Sequence, residues 1–243
     1  MSFLHQQMRA GRWVPPWLRW QNEARYQWAA GFVPGKRVVE IGCGSGHGTR
    51  RFVEAGAAGI DAFDVDEEAI RVAQAESPGD HVTFRVAAAT ELPVADNRYD
   101  LAVMLETIEH VDDDAGLVRE VARVLRPGGV LLCTTPNRAV TNPGITITGQ
   151  PFNTHHVREY TSGELEARIR AAFSRVEMLG QALYTSRYVG NLARVARLSK
   201  RAAVRAHQLS KLLGIPFDSP ARHVPRTTTD GYQPEVLVAV ATK

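Results

Sequence analysis

Short apolar runs alternate with amphipathic stretches from residue 36 to about residue 180. RVVEIG (37–42), GIDAFDV (59–65), HVTFRVAA (81–88), YDLAVML (99–105) and VLLCTTP (130–136) have the length and β-branched content of buried strands. Residues 47–56 and DEEAIRVAQAE (66–76) read as helices, the second with acids in its first turn. DDDAGLVREVARVLRPGG (112–129) opens on acids, spaces its apolar residues at the helical period and carries Arg123 and Arg126 near a Pro-Gly-Gly stop. SGELEARIRAAF (162–173) predicts a further helix, with Thr161 or Ser162 as N-cap and Glu164 or Glu166 in the first turn. SRVEMLGQALYT (174–185) and EVLVAVATK (235–243) complete seven strands. Strands alternating with helices imply an α/β fold with a doubly wound, mostly parallel sheet.

Two stretches fall outside this alternation. Residues 1–35 hold Trp13, Trp17, Trp20 and Trp28 and read as an N-terminal helical lid segment. Residues 186–233 separate the last two strands and read as a basic helical insertion over the substrate site, leaving 36–185 as the core and 234–243 as its final strand. Within the insertion Arg194, Arg197, Arg201 and Arg205 fall on one helical stripe. Val195, Ala202, Ala206, Leu209 and Leu213 fall on the neighbouring one, which predicts one amphipathic helix.

Composition narrows the class. A chain of 243 residues, 44% hydrophobic and 23% charged, suits one large soluble domain or a domain with an added lobe. No apolar run reaches membrane-spanning length, and the N-terminal stretch lacks the apolar core of a secretion signal. Two cysteines, Cys43 and Cys133, argue against a disulfide framework and for a reducing, cytoplasmic setting. The net charge of +3 hides an asymmetry: residues 178–217 hold seven Lys or Arg and no acid, and the remainder carries 22 basic against 26 acidic residues.

The first strand runs into VVEIGCGSGHG (38–48), an acid followed by glycines at 42, 44, 46 and 48. Such a turn lets backbone approach a ligand, and in a doubly wound sheet it is where nucleotides bind. The dinucleotide fingerprint does not fit, because its last glycine falls on His47 or Thr49, and no Walker lysine is present. The second strand ends on Asp64, a carboxylate placed to accept ribose hydroxyls.

In order, VVEIGCGSGHG, AFDVDEEAI, TELPVADNRYDLAVMLETIEHV and RVLRPGGVLLCTTPN resemble the class I S-adenosylmethionine-dependent methyltransferases over roughly residues 22–140. The resemblance implies a Rossmann-like methyltransferase fold and S-adenosylmethionine as cofactor. It assigns Gly42, Gly44 and Gly46 to the cofactor loop, Glu40 to orienting that loop and the cofactor amine, Asp64 to the ribose and Val65 to the adenine face. It also implies that Leu105 offers its backbone to the methionine moiety and that Tyr26 closes over the cofactor. One departure stands out. Many members carry an acid after the third strand that reads the adenine amine; here Ala88 takes its place, leaving backbone near Ala88 and Ala89, or Thr90 or Glu91.

LETIEH (105–110) follows the fourth strand. Glu106, Glu109 and His110 would share one face of a helical turn. E-x-x-E-H here resembles ubiquinone-biosynthesis O-methyltransferases and small-RNA 3′-end 2′-O-methyltransferases, which implies a divalent metal (Mg²⁺, Mn²⁺ or Zn²⁺) on Glu106, Glu109, His110 and a downstream histidine, His155 or His156. The readings left open are a pocket wall, a general base at His110 assisted by Glu106, and that metal. The expected reaction is methyl transfer to a hydroxyl of a small molecule (a sugar, polyketide-like or phenolic scaffold), which could be anionic or carrier-linked, with ribose 2′-O-methylation of RNA as the alternative. No stable nucleic-acid partner is expected, and the state is monomer or homodimer.

Overall fold

The computed structural model describes residues 16–77, 79–212, 225–227 and 231–243. The first helix, α1 (Pro16–Ala30), precedes β1 (Arg37–Ile41), α2 (His47–Glu54), β2 (Gly59–Asp64), α3 (Glu67–Ala75), β3 (Val82–Val86) and β4 (Tyr99–Leu105). A single 3-10 turn (Ile108–His110) leads into α4 (Asp114–Val124), β5 (Leu125–Pro136), a short α5 (Arg138–Thr141) and α6 (Ser162–Arg170). The chain closes with β6 (Arg175–Thr185), α7 (Ser186–Leu198), α8 (Lys200–Leu212), β7 (Arg226–Thr227) and β8 (Tyr232–Thr242).

The strands order as β3-β2-β1-β4-β5-β8-β6-β7, the last a two-residue addition to the seven expected. Strands β1 to β5 run parallel, and β8 lies antiparallel between β5 and β6. The chain order reverses between β1 and β4, the crevice where ligands bind in open α/β sheets. Alternate residues feed two cores. Val39, Ile41, Met104 and Cys133 pack with α4 and α6, while Val38, Leu101, Val103 and Leu132 pack with Tyr26, Phe52 and Ile70 from α1, α2 and α3. Cys43 and Cys133 are buried free thiols in different clusters.

Caps follow the sequence. Asp66 and Asp113 each accept a backbone N–H in the first turn of α3 and α4, and Thr161 forms a capping box with Glu164. Three expectations change. The helix expected over 112–129 stops at Val124, because Leu125 pairs with Tyr99 and the Arg126-Pro-Gly-Gly stretch is a register shift inside β5. The single amphipathic helix breaks at Ser199, whose backbone is extended (φ −155°) and whose hydroxyl accepts from Ala202 N–H. Arg194 and Arg197 therefore sit on α7 and Arg201 and Arg205 on α8. The buried stripe is Val189, Leu192 and Ala196, with Ala203 and His207, rather than Val195 and Leu209, which are exposed. Leu213, Trp13 and the Trp17 side chain lie outside what is described. Finally, residues 105–110 are not a continuous helical turn. Glu106 is left-handed (φ 54°), and only Ile108–His110 is helical.

Candidate active site

Two turns at the carboxyl edge of the sheet face the same crevice. Gly42 and Cys43 N–H both donate to the Phe63 carbonyl, and Gly44 N–H donates to Asp64 Oδ2 at 2.8 Å. Asp64 Oδ1 accepts from Asp66 N–H at 3.0 Å, so this buried carboxylate clamps the glycine loop to the start of α3. Gly46 is the N-cap of α2. Gly42 is left-handed (φ 79°), and a Cβ there would stand 2.4 Å from Thr107 Oγ1, so the turn accepts no side chain. Glu40 is buried beneath the loop, accepting from the Thr49 hydroxyl; burial pushes its carboxyl up to about 8.

A cavity of about 390 Å³ is lined by Gly42, Asp64, Val65, Ala88, Ala89, Thr90, Thr107 and His110, with Asp112 and Asp113 closing it from the entry to α4. Its volume is that of a drug-sized ligand. Val65 is an exposed apolar side chain at this cavity, and Ala88 leaves that wall without a carboxylate. Leu105 and Glu91 do not line it. Tyr26 is buried against Phe52 and α2, its ring filling the space where a Gly48 Cβ would go. Burial, then Glu40, raises its phenol well above the ordinary value.

Two consecutive threonines sort the glutamates. Thr134 Oγ1 donates to Glu106 Oε1 and Thr135 Oγ1 to Glu109 Oε2, each at 2.9 Å. Glu106 turns to Arg25, whose Nη1 is 3.4 Å from Oε1, while Glu109 is fully buried and burial, reinforced by Glu106, pushes its carboxyl upward. The segment around His155 is clipped to the same turn from both sides. His110 Nδ1 meets the His155 carbonyl at 2.9 Å, and the Glu109 carbonyl accepts from Val157 and Arg158 N–H. A carbonyl accepts only, so Nδ1 carries the proton, and burial lowers His110 to about 4. The neutral ring leaves Nε2 as a bare lone pair, buried and without a hydrogen-bond partner, 3.9 Å from Glu109 Oε1.

His155 is exposed, and His156 is the histidine brought in. Donor atoms of Glu109, His110 and His156 lie within 4.8 Å of one another, and Glu106 is not in that group. The reason is the left-handed turn at Glu106, which sends its side chain toward Arg25 instead of the shared helical face. Burial opposes the charged form of His156, but the Glu159 carboxylate at Nδ1 (2.7 Å) and nearby acids outweigh it and raise its proton affinity. Its Nε2 meets Asn153 at 2.7 Å. Sequence reasoning missed Arg25, Thr134, Thr135, Asn153 and Glu159; the adjacent hydroxyls of CTTPN were the one local signal.

A glycine loop, a clamped carboxylate and an imidazole stand around one crevice of an open α/β sheet. The methyltransferase-domain family model matches residues 39–133. A protein of Mycolicibacterium smegmatis named as a probable S-adenosylmethionine-dependent methyltransferase is 37% identical over 66% of this chain and 60% of its own length. The chain thus spans about 60% of the length of the first curated relatives it matches. A ubiquinone biosynthesis O-methyltransferase of Xanthomonas campestris is 30% identical over 67% of this chain and 73% of its own. The solved S-adenosylmethionine-dependent methyltransferase of Mesorhizobium loti superposes with a TM-score of 0.57 at 20% identity, covering 92% of this chain and all of that one. The chain belongs to the class I S-adenosylmethionine-dependent methyltransferases.

Proposed function

We propose that the chain transfers a methyl group to a hydroxyl of a small molecule, with His110 taking the proton. The observation that carries this reading is His110, which lines the cavity that also holds Gly42 and Asp64 and whose Nε2 is buried without a hydrogen-bond partner. The residues present fit S-adenosylmethionine: the Gly42 turn would admit it, Asp64 would hold the ribose, Val65 would cover the adenine face, and Glu40 would steady the loop. Leu105 and Tyr26 stand outside the cavity wall, which limits them to support from behind. The bound cofactor supplies a methyl group on a positively charged sulfonium, so the protein's tasks are alignment, exclusion of water and removal of the hydroxyl proton. His110 Nε2 accepts that proton, its ring held by the His155 carbonyl and Glu109 Oε1 standing 3.9 Å from Nε2. The N-terminal α1 and the pair α7–α8 would cover the acceptor.

The test is calorimetry with S-adenosylmethionine followed by methyl-release assays on hydroxylated acceptors. His110→Gln should lower turnover by about 10²–10⁴-fold with cofactor binding unchanged. Full turnover in that variant would sink the reading.

The Glu109–His110–His156 grouping favours a second reading, a divalent metal at the acceptor. One carboxylate and two imidazoles suit Zn²⁺ or Mn²⁺ better than Mg²⁺. His110 Nε2 is already free, Glu159 would orient His156 from behind, and Asn153 would have to release His156 Nε2. Turnover lost in chelator and restored by Zn²⁺ or Mn²⁺ supports it; full turnover in excess chelator removes it.

A further inference from the structure

Helices α7 and α8 carry cations without counter-charges. Arg187, Arg194 and Arg197 on α7 and Lys200, Arg201 and Arg205 on α8 are exposed, and none has an ion pair among the described residues. Elsewhere several arginines are paired, Arg50 to Glu76, Arg123 to Asp96 and Glu120, Arg126 to Asp100 and Arg170 to Glu166, and the exposed arginines without an ion pair among the described residues, Arg19, Arg37 and Arg175, are scattered singly along the chain. No Asp or Glu occurs between Glu177 and Asp218.

The same two helices expose apolar side chains. Leu198 is 91% exposed, Leu209 55% and Val195 39%. Their placement follows from helix geometry. On α7 the buried stripe is Val189, Leu192 and Ala196, and at about 100° per residue Arg187, Arg194 and Leu198 fall on the opposite side. On α8 the buried pair is Ala203 and His207, and Arg201, Arg205 and Leu209 fall opposite. Each helix therefore presents two arginines and a leucine on its outer stripe. Both inner faces pack toward the β6–β8 end of the sheet: Tyr184 and Val189 share one apolar cluster, and the His207 ring packs on Tyr184. Arg187, Arg194 and Leu198 on α7 and Arg205 and Leu209 on α8 consequently look away from that body, while Arg201 stands at the mouth of a cleft shared with Gly144 and Phe152.

We propose that this outer face is a peripheral docking surface for a membrane carrying anionic headgroups. Leucine side chains level with the acyl boundary, flanked by arginines whose stems are long enough to reach phosphates, are what an interfacial helix pair needs. Single-stranded RNA would call for stacking aromatics, but the one aromatic side chain of α7, Tyr188, is stacked on Tyr184. Attachment is at the surface, since among the described residues no helix is long and apolar enough to cross a membrane. This inference stands apart from the methyl-transfer reading.

The experiment is co-sedimentation of the full chain with vesicles of two parts phosphatidylcholine to one part phosphatidylglycerol, against vesicles of phosphatidylcholine alone. Binding should be at least about tenfold stronger on the anionic vesicles and weaken as salt shortens the screening length. R194E/R201E/R205E should lose about tenfold or more. L198S/L209S should lose several-fold, keep the salt dependence, and unfold like the parent on heating. R71E/R170E, reversing exposed cations elsewhere, should bind like the parent. Equal binding to both vesicles, none to the anionic ones, or a loss in R71E/R170E matching that of the triple variant would overturn the proposal. So would parental binding by L198S/L209S together with tight binding to single-stranded RNA or to an acidic protein, which would make the patch a purely electrostatic one.

Discussion

Arg25 Nη1 lies 3.4 Å from Glu106 Oε1, with the two side chains 4% and 16% exposed. The pair joins α1 to the end of β4, and Arg25 reaches Gln181 and Asn22 as well. Thr134 donates to the same Glu106 oxygen, so the left-handed turn at Glu106 delivers its carboxylate to a prepared partner set. Breaking a buried pair from one side strands a charge. Arg25→Met should cost about 3 kcal/mol in urea denaturation, with R25M/E106Q recovering part of it. A loss below about 0.5 kcal/mol would mean the pair is held at no energetic advantage.

Gly42 and Gly56 separate shape from strain. Both are left-handed, at φ 79° and 82°, but a Cβ at Gly42 meets Thr107 whereas nothing lies within 4 Å of one at Gly56. Thr107 cannot swing aside freely, because its hydroxyl is bonded to the Ile41 and Leu105 carbonyls. Gly42→Ala should abolish S-adenosylmethionine binding in calorimetry and destabilise the chain by roughly 1–3 kcal/mol. Gly56→Ala should share the strain and keep binding. Equal affinity in the two variants would show that the loop at Gly42 does not shape the cofactor site.

What the sequence reveals and what it hides divide along a physical line. Strands buried on both faces must be continuous apolar runs, so β1, β2, β4 and β5 were legible, as were the acids in the first turn of α3. The glycine loop was legible because a left-handed turn such as that at Gly42 leaves few alternatives to glycine. Glu106 was misplaced because periodicity assumes a helical backbone, and one left-handed residue reverses its direction. The break at Ser199 was hidden for a similar reason: arginines and alanines continue the helical period across it, and no Gly or Pro marks the stop. Arg25 and Glu159 reach their partners through tertiary packing, which no local spacing records.

The two adjacent histidines are expected to separate in function. His155 is exposed and contributes its carbonyl to His110, whereas His156 is buried between Glu159 and Asn153. His155→Gln keeps that carbonyl, so turnover should stay within about twofold of the parent. His156→Gln should reduce turnover by at least about tenfold and, if a metal is used, weaken it by about 10–100-fold in a Zn²⁺ titration. A larger loss at His155 than at His156 would overturn the assignment.

Glu40 gives the fold an unusual pH response. Burial raises its carboxyl from 4.5 to about 8. Between those values the folded chain holds a proton that the unfolded chain has released. Stability is therefore greatest at the acid end of that window and falls as pH rises toward 8, the reverse of an ion-paired carboxylate. Glu109, raised in the same direction, adds to the slope. The urea midpoint should fall between about pH 5 and pH 8 in the parent and fall less in Glu40→Gln, which keeps an acceptor for Thr49 and cannot ionise. Parallel curves for the two proteins would show that Glu40 is ionised in the folded chain throughout, and that the loop above it supplies the compensating charge.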